Sequence, residues 1–122
     1  MNDDIELHPI EIENIQNELL LEWICDNLMR IGSINRSITS YGLKHLAERQ
    51  LGFYVSNDKL IDTMIFAGFK FVGCSPDRVN LYFNVSQKSI NKLKENQSFY
   101  MRMNELAEMD DPEEINKIKE KQ

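Results

Sequence analysis

The sequence predicts a mainly α fold with one β-hairpin (α+β), extended by an N-terminal helix and a C-terminal helical segment. Two observations carry this reading. Apolar residues recur at helical spacing in most of the chain, and the period drops to two only between Phe69 and Val85. A glycine or a capping residue also stands at nearly every change of pattern. At 122 residues, 42% of them apolar, the chain suits one domain that buries roughly two-thirds of its unfolded surface.

The first helix is expected over about residues 10–31. Ile12, Ile15, Leu19 and Trp23 form one stripe, and Leu20, Ile24, Leu28 and Ile31 form an adjoining one. So wide an arc predicts packing on two sides. Pro9 suits the first turn, the acids in the N-terminal half complement the helix dipole, and Gly32 reads as the stop. Ser37, Thr39 and Ser40 offer caps for a second helix over about residues 39–51, with Leu43, Leu46, Ala47 and Leu51 inward and Gly52 as terminator. After the short link "FYV", Ser56 caps a third helix over about residues 57–67. Leu60, Ile61, Met64 and Ile65 are expected to face inward there, and Gly68 closes the helix.

Phe69 and Phe71 then alternate with Lys70 and Val72, and Val79, Leu81, Phe83 and Val85 alternate with Asn80, Tyr82 and Asn84. The turn residues Pro76 and Asp77 lie between them, so the pair reads as a two-stranded antiparallel hairpin. A lone hairpin is barely stable in water, which requires it to lie against the helices. Ser86 caps a last long helix at 86–109, and Asp111–Pro112 restarts a charged tail at 110–122 that frays. The remaining division is an acidic arm at 1–9 and a central domain at 10–85. Met101, Met103, Leu106 and Met109 make the C-terminal helix a candidate homodimer contact.

The net charge of −6 conceals a partition. Residues 1–29 hold eight acids and no Lys or Arg; residues 30–102 hold eleven cations against five acids; residues 103–122 hold seven acids against three lysines. A basic centre between acidic arms is an argument about partners rather than fold. No run of 18 apolar residues is present, and the acidic start is unlike a secretory signal, so the expectation is a cytoplasmic chain without membrane contact. Cys25 and Cys74 follow no metal or disulfide spacing and read as reduced, structural thiols.

The segment "LKHLAERQLGFYVSNDKLIDTMIFAGF", two short helices followed by the hairpin, resembles winged helix-turn-helix domains. The link "GFYVS" is longer and more aromatic than a tight turn of that kind. The string "SYGLKHLAER…YVSN…AGF…YFNVS" is also similar to small uncharacterised proteins of phages and other mobile elements. The first resemblance implies a third helix placed in a DNA groove and a wing over phosphates. The expected function is then DNA binding by a regulator or replication accessory.

Enzyme chemistry lacks its parts. His8 and His45 stand apart from any metal set, the five glycines are dispersed, and neither a catalytic group nor a cofactor is expected. The candidate nucleic-acid contacts are Arg36, Ser37, Tyr41 and Lys44 around the second helix, Lys59 and Thr63 on the third, and Lys70 and Arg78 on the hairpin. Tyr54 and Tyr82 are candidates for stacking on unpaired bases. Asp58 and Asp62 oppose base reading by the third helix. The alternative is a non-catalytic protein-binding module or inhibitor, contacting a host or phage protein through the acidic first helix.

Overall fold

Pro9 lacks a backbone donor, so it can open a helix without wasting a hydrogen bond. The computed structural model, which describes residues 6–74 and 79–96, places it at the start of α1, Pro9–Asn27. His8 is the N-cap: its Nδ1 accepts from the Ile10 N–H at 3.2 Å, and Glu11 Oε2 accepts from the His8 N–H at 3.2 Å. Leu28 already has extended φ and ψ of −105° and 126°, so the helix ends earlier than its apolar pattern predicts. Ile31 and Gly32 belong instead to a strand, β1, Arg30–Asn35. Long-range pairing overrides local period here: the Ser86 N–H donates to the Met29 carbonyl at 2.8 Å, and Arg30 pairs with Val85.

The other helices follow their caps. Thr39 Oγ1 accepts from the Gly42 N–H at 3.3 Å and starts α2, Ser40–Leu51. Gly52 ends it in the left-handed region at φ 81°, which a side chain would strain. Ser56 Oγ accepts from the Lys59 N–H at 3.1 Å and starts α3, Asn57–Phe66. Gly68, at φ 96°, follows it. Its carbonyl accepts from the Arg30 guanidinium at 3.4 Å, and a Cβ there would stand 2.6 Å from that nitrogen. Leu60 and Met64 are buried as expected, but Ile65 faces solvent beside Phe66.

The sheet has three antiparallel strands in the order β1-β3-β2, with β2 at Phe71–Gly73 and β3 at Leu81–Val85. The predicted hairpin is thus two-thirds of a sheet whose first strand comes from far upstream. Phe83 and Val85 are fully buried, whereas Val79, predicted to share their face, is exposed, and Phe71 pairs with Phe83 yet stays half exposed. Phe69 is buried just before β2. Asn84, expected on the solvent face, is buried as well. Its Oδ1 accepts from the Lys70 N–H at 2.7 Å and its Nδ2 donates to the Ile31 carbonyl at 2.9 Å, so one amide ties β3 to β1 and to the residue that leads into β2.

A fourth helix, α4, is described over residues 87–96. Ser86 Oγ accepts from the Ser89 N–H at 3.2 Å, and Ile90 and Leu93 are buried. The core gathers Leu20, Trp23, Ile24, Leu43, Leu60, Met64, Phe83 and Ile90, among others. Gln50 links three helices: its Oε1 accepts from Trp23 Nε1 at 2.6 Å and its Nε2 donates to the Leu93 carbonyl at 3.3 Å. Of the two stripes on α1, that of Leu20, Ile24 and Leu28 packs inward together with Trp23. Ile12, Ile15 and Leu19 stay exposed, which corrects the two-sided packing. Both thiols are free; Cys74 is buried and Cys25 is exposed, so Cys25 is not the structural thiol expected. The methionine-rich dimer contact and the Asp111 restart lie outside the described residues. Among the described residues, no helix is long and apolar enough to cross a membrane.

Candidate functional site

The starts of α2 and α3 and the entry to β3 meet at one end of the molecule. Ser40, fully buried, accepts the Leu81 N–H on its Oγ at 3.1 Å. Asn57 Nδ2 reaches the Val79 carbonyl at 3.2 Å and Asn80 Oδ1 at 3.1 Å. Ser37 is pinned by its N–H to Asn35 Oδ1 at 2.9 Å. Gly42 allows the tight first turn of α2, since a Cβ there would lie 2.8 Å from the Ile38 Cγ1.

On this frame sits an aromatic and ionic cluster. Lys44 Nζ lies 4.9 Å from the Tyr54 ring centroid and 5.8 Å from that of Tyr41. Tyr41 meets the His45 ring edge-to-face at 4.4 Å. Both tyrosines remain open to solvent, Tyr41 53% and Tyr54 75% exposed. Arg36 stacks over Tyr82 at 5.6 Å. The Cys74 thiol bonding to the Tyr82 hydroxyl holds that phenol above its ordinary range. Tyr82 is therefore engaged on its ring and its hydroxyl, whereas Tyr41 and Tyr54 keep ring surface free.

Glu48 organises the cluster. Its Oε1 accepts from Lys44 Nζ at 2.7 Å and from the Val55 N–H at 3.1 Å, and its Oε2 lies 3.4 Å from His45 Nδ1. Burial alone would raise the carboxyl, but hydrogen bonds from Lys44 and Val55, with the charges of Lys44 and His45, outweigh it and lower the pKa below 4.5. A depressed carboxyl stabilises the fold above its unfolded pKa, and that contribution is lost as pH falls through the folded one. Glu48→Gln should therefore lower the thermal midpoint at neutral pH. The gap between variant and parent should close on acidification below pH 4.5, which melts followed by circular dichroism at several pH values would measure.

The predicted contacts separate into groups. Tyr41 and Lys44 meet on α2, although Lys44 is mostly buried and paired, while Arg36 and Ser37, just ahead of the helix, contact Tyr82 and Asn35 instead. Lys59 turns toward α1, with Nζ 3.6 Å from Glu13 Oε1. The Thr63 hydroxyl donates back to the Lys59 carbonyl at 2.7 Å. Asp58 and Asp62 are exposed on the same helix, so the outer face of α3 is acidic and apolar. Lys70 is exposed on the β2 side, across β3 from Arg36. Arg78 lies outside the described residues. The roles of Glu48 and His45 were missed, yet Tyr41/His45 and Lys44/Glu48 both stand four apart in α2, a spacing that pairs side chains.

Among the described residues, no three His, Cys, Asp or Glu side chains come together as a metal site. No family model, curated protein or solved structure matches the chain.

Proposed function

We propose that the chain is a DNA-binding module on a winged-helix-like frame, whose contact face is the start of α2 rather than the outer face of α3. The observation that carries this is the Lys44 ammonium bracketed by two exposed tyrosine rings. Arg36, just ahead of α2 in the chain, adds a cation that lies over the Tyr82 ring. Exposed rings offer stacking platforms worth roughly 1–3 kcal/mol per base, with little regard to sequence. Glu48 neutralises much of the Lys44 charge, so stacking outweighs phosphate attraction and unpaired strands are the preferred substrate. Asp58 and Asp62 make α3 a poor guest in a duplex groove. Such a module suits a cytoplasmic replication accessory or regulator of a mobile element.

Fluorescence anisotropy with a labelled oligonucleotide tests this reading. Single-stranded DNA should bind more tightly than the matching duplex at about 50 mM salt, with a log–log salt slope corresponding to only one or two phosphates at about −0.7 each. Tyr41→Ala with Tyr54→Ala should weaken binding at least about tenfold, as the loss of one stacked base would. No binding to either form, or binding indifferent to the double substitution, overturns the proposal.

A further inference from the structure

We propose that the outer face of α1 docks a basic amphipathic helix of a protein partner. Ile12, Ile15 and Leu19 lie three and four residues apart and are 43%, 45% and 41% exposed. That is the spacing of one side of a two-helix seam, where a partner's apolar residues would fit between them. Glu11 and Glu18 each precede a seam residue and Glu22 continues the same margin, all three exposed. Glu13 is the one α1 acid with an ion pair among the described residues, and it points to Lys59 on α3.

Charge selects the occupant. Residues 6–29 contain no Lys or Arg, so a helix lying in the seam meets acids along its flank and is favoured if it carries cations at its own flanking positions. A second copy in antiparallel arrangement would set Glu11 and Glu18 against their equals. The chain's own residues 97–122 bring seven acids against four cations, which is also the wrong sign. Tyr54 shares a pocket with Glu13, Gln16 and Asn17 of α1, but none of Ile12, Ile15 and Leu19 lines it, so the two proposals rest on different side chains and either can fail without the other.

The test titrates the full chain with a synthetic amphipathic helix bearing Leu at the seam positions and Lys at the flanks. A second peptide has Glu in place of Lys. Fluorescence anisotropy of a labelled peptide reports docking, since the single tryptophan, Trp23, is buried in the core. The basic peptide should bind saturably and more tightly than the acidic one, and Ile15→Asp should weaken it at least about tenfold, as loss of a central seam contact does. Glu18→Lys with Glu22→Lys, both at exposed positions, should reverse the preference while the circular dichroism spectrum stays unchanged. Equal affinity for both peptides, or none for either, overturns the proposal. So does self-association in sedimentation that Ile15→Asp removes, or preferential binding of a synthetic peptide of residues 97–122.

Discussion

Trp23→Ala should lower the free energy of unfolding by about 3–5 kcal/mol, the usual range for truncating a large core aromatic. The indole is 6% exposed within the cluster of Leu20, Ile24, Leu43 and Leu60. It also supplies the donor that orients Gln50, and through Gln50 the Leu93 carbonyl of α4. Truncation therefore opens a cavity and loosens the link between the first and last described helices. Trp23→Phe separates the two effects, since it keeps most of the volume and removes the donor; about 1–2 kcal/mol is expected from the bond alone. Urea denaturation followed by circular dichroism measures both. An unchanged midpoint for Trp23→Ala would contradict this packing.

Asn84→Ala should cost about 2–4 kcal/mol, because it strands two backbone groups that one side chain now satisfies. The Lys70 N–H and the Ile31 carbonyl belong to opposite sides of β3, so both flanks should loosen together. Asn84→Asp keeps an acceptor for Lys70 and loses the donor to Ile31, and should fall between Ala and the parent. Hydrogen exchange read at the Lys70 amide distinguishes these outcomes. If that amide exchanges no faster in Asn84→Ala, the bridge does not hold the sheet.

Much of this fold was legible because local chemistry and tertiary packing agree over α2 and α3. Thr39, Ser56 and Gly52 mark the ends of these helices, and the buried residues repeat at helical spacing. Around β1 the two conflict. Between Arg30 and Asn35 the pairing moves only from Val85 to Phe83, so five steps on one strand answer two on the other. No period of two survives in "RIGSIN" to announce a strand, and Ile31 extends the helical pattern instead. The exposed stripe on α1 misled for a related reason, since periodicity shows that a face is apolar and not that anything covers it. The site was half legible. Tyr41 and Lys44 share one cluster with Tyr54, but Lys59 pairs with Glu13, a contact that sequence separation hides.

The irregular pairing of β1 also bears on how the protein avoids sticking to itself. An open sheet edge displays a row of backbone donors and acceptors onto which another chain can add a strand, and the hazard grows with length and flatness. Here β2 is only three residues long. On the other side, β1 leaves regular register along most of its length and is flanked by exposed Arg30 and Arg36. Neither edge offers a straight template for a stranger's backbone. The bulged stretch that obscures β1 in the sequence thus guards the sheet against fibrous growth, and a version with 31–34 shortened to regular pairing would give up that protection.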